Sequence, residues 1–170
     1  MRKIIFLDID GVIATPETLI DGMWGLTPSK QTLLGEILEA TDAELVISSS
    51  WRHHTVELTK EYFEKKGFQF VEKIIGVTIR AYHYISKEEK IHLSIPRGVE
   101  IKQWLDTHIH SDNGKNWERK TLNKDYSYVI LDDESDMLLE HRENFINTDG
   151  VEGLSKIDTK LAIKILNNEM

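Results

Sequence analysis

Three short apolar runs of this chain end in polar residues that an enzyme could use. The first is Ile4-Ile5-Phe6-Leu7-Asp8-Ile9-Asp10-Gly11-Val12, the second Leu45-Val46-Ile47-Ser48-Ser49-Ser50, and the third Tyr128-Val129-Ile130-Leu131-Asp132-Asp133. Asp8 and Asp10 are two apart, so along a strand their side chains point the same way. Two carboxylates on one side repel, and burying them bare is costly. A divalent cation relieves this, and hard carboxylate oxygens suit Mg²⁺. Asp132 and Asp133 end another strand and are placed to complete the site, which makes Asp8, Asp10, Asp132 and Asp133 the candidate metal group. Gly11 lets the chain turn sharply and exposes backbone N–H groups to an anion. Singly, each motif has a plainer reading: Asp-x-Asp as a turn or cap, Asp-Asp as a solvated loop, the serine run as an N-cap cluster. What argues for chemistry is their coincidence at the ends of three apolar strands.

The elements that must position these residues alternate between strand and helix. Residues 3–9 read as a buried strand. Thr27 is the expected N-cap and Pro28 the first residue of a helix whose apolar face is Leu33, Leu34, Ile37 and Leu38. Residues 44–49 form a second strand, a helix follows over 55–66, and Gly67 closes it as a left-handed C-cap. Residues 68–77 are β-prone, and residues 80–95 read as largely irregular chain. Val99, Ile101, Trp104 and Leu105 predict a helix over 98–108, and the apolar run 126–131 reads as a third strand. Ser155 and Asp158 cap a last helix carrying Leu161, Ala162, Ile165 and Leu166. This pattern predicts an α/β fold, a Rossmann-like three-layer α/β/α sandwich around a mainly parallel sheet. In such folds the ligand site lies beyond the carboxyl ends of the strands, where strand order reverses.

A length of 170 residues suits one domain, 1–170. There is no cysteine, which excludes disulfides, thiolate metal sites and cysteine nucleophiles. The net charge of −8 gives no whole-molecule pull toward nucleic acid or anionic membrane. The apolar run before Asp8 is too short for a signal-peptide core or a membrane span, so a cytoplasmic protein is expected. The seven histidines, His53, His54, His108 and His110 among them, show no metal-site spacing.

The ordered set of motifs resembles the haloacid dehalogenase (HAD) superfamily of aspartate-nucleophile phosphohydrolases. Phe6-Leu7-Asp8-Ile9-Asp10-Gly11-Val12 is similar to its first motif, Ile47 through Ser50 to its second, and Leu131-Asp132-Asp133 to its fourth. Its third is a Lys or Arg at a helix start, and Arg97 in Pro96-Arg97-Gly98-Val99-Glu100-Ile101 fits. Ser49-Ser50-Trp51-Arg52, Arg97-Gly98 with Glu100-Ile101 and Trp104-Leu105, and Phe145-Ile146-Asn147-Thr148-Asp149 with Gly153-Leu154 resemble one small HAD group. That group includes the HAD domains of bacterial Swiss Army Knife RNA-repair proteins.

The resemblance implies a phosphatase in which Asp8 attacks phosphorus and Asp10 acts first as acid and then as base. Mg²⁺ is implied as cofactor, on Asp8, the Asp10 backbone carbonyl and the acidic pair, with Asp133 favoured as ligand and Asp132 as support. Ser49 is the implied phosphoryl hydrogen-bond donor, with Ser48 the alternative, since a one-residue shift at the strand end swaps them. Arg97 supplies positive charge. Gly11, Ser50 and Arg52 are further substrate contacts, Arg52 having a structural role as its alternative. Asp136 is either another ligand or a cap for the next helix. The connections are too short for a separate cap domain, so a minimal or absent cap and an open site are expected. An open site suits large substrates such as a phosphorylated polymer end, or a partner that covers it; the implied partner is a phosphorylated small molecule or nucleic-acid end, with Lys115, Arg119, Lys120 and Lys124 as a candidate local patch. The competing readings are a catalytically silent binding module, a phosphotransferase and a dehalogenase. The sequence leaves the oligomeric state open.

Overall fold

Alternate residues of the first apolar run must face opposite ways. Ile4 and Phe6 on one side and Ile5 and Leu7 on the other are all fully buried, so this strand is covered on both faces. The computed structural model describes residues 1–19, 22, 24–86, 91–109 and 126–169. In chain order its elements are β1 (Arg2–Leu7), α1 (Pro28–Thr41), β2 (Glu44–Ile47), α2 (Val56–Lys65), β3 (Ile74–Val77), β4 (Tyr82–Ser86), β5 (Ile91–Ser94), α3 (Arg97–His108), β6 (Tyr126–Asp132), β7 (Phe145–Asn147) and α4 (Lys156–Asn167), with short 3₁₀ turns between. Five strands form one sheet in the order β3-β2-β1-β6-β7, every neighbouring pair parallel. The expected α/β architecture is what forms.

Ile5, Leu7, Leu45, Ile47, Val129 and Leu131 pack one face of the sheet against Leu34, Ile37 and Leu38 of α1, Phe63 of α2, and Ala162, Ile165 and Leu166 of α4. Ile4, Phe6, Val46, Tyr128 and Ile130 pack the other against Ile101, Trp104 and Leu105 of α3. The Phe6 ring meets Trp104 edge-on at 5.4 Å and Tyr128 at 5.9 Å, a favoured aromatic geometry. Among the described residues no helix is long and apolar enough to cross a membrane.

The chain runs outward from β1 through β2 to β3, then returns to lay β6 on the other side of β1. Strand order therefore reverses between β1 and β6. Leu7 pairs with Ile47 and with Leu131, so three polar residues emerge together beyond one edge. The ladder also reaches one residue further. Asp8 N–H donates to Leu131 C=O, Ser48 N–H to Leu7 C=O, and Thr148 N–H to Asp132 C=O, each at 3.0 Å. The backbone under the candidate site is thereby fixed by the sheet itself.

Several local expectations need correction. Within 68–77 only β3 is a strand; Val71–Lys73 is a 3₁₀ turn, and the Phe68 ring goes into the core against Phe63 at 5.3 Å. Within 80–95, Tyr82–Ser86 and Ile91–Ser94 are not irregular, because they pair as the antiparallel strands β4 and β5. The edge strand β7 is only three residues long, too short to show a period. Thr27 has the extended backbone of an N-cap, but its side chain makes no capping bond. Its Oγ1 instead accepts the Thr15 N–H at 3.2 Å, which ties the segment after β1 to the start of α1. Val99 is exposed, while Gly98 and Glu100 are buried. Gly67 takes φ +78°, and Ser155 and Asp158 form a reciprocal capping box, both as expected.

Candidate active site

Asp8 is the first residue after β1, Asp132 the last of β6, and both are almost fully buried; Asp133 is half-buried. One carboxylate oxygen from each of Asp8, Asp132 and Asp133 lies within 4.8 Å of the others. Arg97, at the first turn of α3, reaches into this group. Its Nη1 donates to Asp8 Oδ1 at 3.0 Å and to the Ser48 carbonyl. The same nitrogen stands 3.3 Å from Asp132 Oδ2. That oxygen is buried and accepts no hydrogen bond, so the contact is an ion pair without a directed bond. Asp132 Oδ1 accepts the Glu134 N–H at 3.0 Å.

Asp133 sits in a cradle made by two glycines. A Cβ on Gly11 or on Gly150 would collide with its carboxylate, and Gly11 also holds φ +69°. Thr148 Oγ1 donates to the Gly11 carbonyl at 2.8 Å, and Asn147 Nδ2 to the Asp133 carbonyl at 2.8 Å. The loops after β1 and β7 are thus joined around this side chain.

Three carboxylates against one guanidinium leave a buried excess of negative charge. Burial first, and then the Asp8 carboxylate, push the Asp132 carboxyl well above the usual carboxylate range, and Asp133 is raised by the same two causes. Burial works against the Arg97 charge, but Asp8 and Asp132 outweigh it and raise that group. An all-oxygen donor set that includes a buried carboxylate oxygen accepting no hydrogen bond fits a hard divalent cation such as Mg²⁺.

A carboxyl group whose pKa is higher in the folded chain keeps its proton after the unfolded chain has lost it. Its ionisation therefore costs stability as pH rises from the usual carboxylate range toward the raised value. A cation bound by the ionised group removes that cost. Millimolar Mg²⁺ is accordingly expected to raise the Tm more at about pH 7.5 than at about pH 5. Thermal unfolding at the two pH values checks this; equal shifts, or none, would contradict it.

Asp10 is placed differently. The Trp51 indole Nε1 donates to both of its carboxylate oxygens, at 3.0 Å each, and its carboxylate is not one of the three that cluster. Burial raises the Asp10 carboxyl, the Trp51 bond partly offsets this, and Asp8 raises it further. Trp51 is itself held by Tyr62, edge-on at 6.0 Å, and by the Lys66 ammonium 5.7 Å above its ring. A raised carboxyl keeps its proton to higher pH than a free one, the direction that general acid catalysis favours.

The three serines follow β2. Ser48 Oγ is buried without a partner, whereas Ser49 Oγ accepts the Trp51 N–H at 3.2 Å. Ser50 is exposed, and its carbonyl accepts from Arg80. Both readings of the phosphoryl donor, Ser49 and Ser48, stay open on this geometry.

Arg52 takes the structural place that is its alternative reading. It is 6% exposed, and all five N–H groups are used. Nε donates to Thr78 C=O at 3.0 Å, Nη1 to Ser48 C=O at 3.1 Å and Ser49 C=O at 2.6 Å, and Nη2 to Ile79 C=O and Glu100 Oε2, both at 2.7 Å. A guanidinium has no sixth donor to offer a phosphate. Asp136 caps a helix, but α3 rather than the next one. Its Oδ2 accepts the Arg97 N–H at 2.7 Å, a bond that Pro96 at the N-cap has no side chain to make. His110, Lys115, Arg119, Lys120 and Lys124 lie outside the described residues. Sequence reasoning missed Trp51 as partner of Asp10, Glu100 as partner of Arg52, and Gly150 beside Asp133. An acidic residue on the buried face of α3 was the one local signal, for Glu100.

A parallel sheet whose central strand delivers Asp8, with the acidic pair on the strand beside it, is the architecture of a HAD-type domain. The sequence model of the family described as "HAD domain in Swiss Army Knife RNA repair proteins" matches residues 4–159, and the chain belongs to that family. No curated protein and no solved structure matches the chain.

Proposed function

We propose that the protein is a Mg²⁺-dependent phosphomonoesterase that works through an aspartyl-phosphate on Asp8. Family membership supports a phosphohydrolase-type function. The observation that carries the finer reading is the convergence of Asp8, Asp132 and Asp133 with Arg97 at the reversal of strand order. Asp8, Asp132, Asp133 and the Asp10 backbone carbonyl would hold the cation, with Asp133 the favoured carboxylate ligand beside Asp8. When bound there, Mg²⁺ neutralises charge on the transferring phosphoryl group.

Arg97 fixes the Asp8 carboxylate and adds positive charge where the phosphoryl oxygens gather. The Asp8 oxygen attacks phosphorus, the ester P–O bond breaks, and Asp10 gives its proton to the leaving oxygen. Asp10, now ionised, takes a proton from water. The water oxygen attacks phosphorus, the Asp8 O–P bond breaks, and phosphate leaves with Asp8 restored. The indole of Trp51 orients Asp10 for both proton transfers. Ser49, or Ser48 in its place, donates to a phosphoryl oxygen. Substrates range from small phosphoesters to a phosphorylated nucleic-acid end, the RNA-repair setting being that of the proteins for which the family is described.

The test is release of inorganic phosphate from nucleotides, sugar phosphates and 3′-phosphorylated oligonucleotides. Release is expected with Mg²⁺, is abolished by EDTA, and is mostly lost in Asp133→Asn. No release from any of these substrates, or release indifferent to EDTA, would overturn the proposal.

A further inference from the structure

The segment after β3 is held in place on both sides of one side chain. Thr78 N–H donates to Ile47 C=O at 3.0 Å, and Arg52 takes the carbonyls of Thr78 and Ile79. Glu100 Oε1 accepts the Ala81 N–H at 2.8 Å, and Ala81 C=O accepts the Ile95 N–H at 3.1 Å. Between these anchors stands Arg80, exposed, whose Nη2 donates to the carbonyls of Ser50 and, at 2.9 Å, Arg52. A rigid backbone and two fixed acceptors aim this guanidinium at little entropic cost.

Arg80 borders a cleft of about 190 Å³ that it shares with Ser50, Tyr82, Ser94, Arg97 and Asp136. The charges around this cleft are unequally answered. Arg52 is paired with Glu100, and Arg97 with Asp8 and Asp132. The carboxylate of Asp136 is taken up by the first amide of α3. Among the described residues Arg80 has no carboxylate partner; both of its bonds go to carbonyls, through one nitrogen. The cleft also opens onto the candidate active site. Arg97, which lines it, holds Asp8, and the Ser50 carbonyl on its wall holds Arg80.

We infer that Arg80 is a specificity-determining residue that binds a second phosphate group of the substrate, next to the one to be removed. This rests on the phosphohydrolase reading above. With Nη2 taken by the two carbonyls, Arg80 keeps a fixed positive charge with its Nε and Nη1 donors unused among the described residues, which suits a phosphate oxygen, and binding energy gained away from the reacting phosphorus raises kcat/KM. The substrate class is therefore a phosphoester with a neighbouring phosphate, either a small bisphosphate or the terminal phosphodiester of a polynucleotide end.

The experiment compares adenosine 3′-monophosphate, adenosine 3′,5′-bisphosphate, a 3′-phosphorylated oligonucleotide and para-nitrophenyl phosphate, on wild type, Arg80→Ala and Arg80→Lys. Wild type is expected to prefer the bisphosphate or the oligonucleotide to the monophosphate. In Arg80→Ala that preference should shrink by about tenfold or more, mainly through KM. Arg80→Lys should keep only part of it, since the charge stays while the two carbonyl anchors and the directed Nε and Nη1 donors are lost. A preference for the bisphosphate alone assigns a small metabolite, and one shared with the oligonucleotide assigns a polymer end. An Arg80→Ala preference equal to that of wild type would overturn the inference. Calorimetric binding of the monophosphate and bisphosphate to Asp8→Asn, with and without Arg80→Ala, separates the two claims. An Arg80-dependent bisphosphate advantage in binding, with no turnover by wild type, would retain the subsite and discard the hydrolase. Turnover without that advantage would do the reverse.

Discussion

Asp8→Asn is expected to lower turnover by about 10⁴-fold or more while leaving the fold intact. The amide has the shape of the carboxylate and still offers Arg97 the oxygen that accepts its Nη1 at 3.0 Å. What disappears is the anion that attacks phosphorus. Asn also removes one of three crowded carboxylates, which lessens the repulsion that burial makes expensive. The Tm of the variant should therefore equal or exceed that of wild type without metal. Steady-state kinetics with thermal unfolding checks both halves. Near-normal turnover would exclude covalent catalysis on Asp8, and a folded variant is what makes a loss of turnover interpretable.

The second large effect falls on stability. Glu100→Ala leaves the Arg52 guanidinium buried without its counter-ion and the Ala81 N–H without its acceptor. Breaking a buried ion pair by removing one partner costs about 3–5 kcal/mol, a fall in Tm on the order of 10 °C for a chain of this size. Glu100→Gln keeps an acceptor for both donors and should lose less. Chemical denaturation of the three proteins measures this; a Glu100→Ala cost below about 1 kcal/mol would show that the pair is not what holds the turn after β2 to the segment after β3.

Much of the site was legible because its residues lie on single strands. Asp8 directly follows β1 and the Asp132-Asp133 pair closes β6, whereas Asp10 lies beyond the pleat and is held by Trp51. The apolar runs that precede them are continuous because the sheet is covered on both faces. Arg97 was legible at a helix start, although the sequence carries no sign that its amide is capped by Asp136, 39 positions away. Arg52 was read as a candidate phosphate contact because it follows the serines. Its partner Glu100 lies 48 positions on and its acceptors at 78 and 79 are carbonyls, which no sequence displays. Trp51 meets Asp10 across 41 positions, a contact that follows from β1 and β2 lying side by side in the sheet. The β4–β5 hairpin was hidden because its strands are short and mix aromatic with polar residues, a weak period-2 signal.

The proposed mechanism turns on a covalent bond from Asp8 to phosphorus. A crystal structure of the protein with Mg²⁺ and fluoroberyllate, which mimics a bound phosphoryl group, tests it most directly. The beryllium is expected on an Asp8 carboxylate oxygen, with the metal between Asp8, Asp133 and Asp132 and the Asp10 carboxylate facing the open side of the fluoride. Fluoroberyllate on Asp132 or Asp133, or metal bound with Asp8 unmodified at saturating fluoroberyllate, would contradict the account.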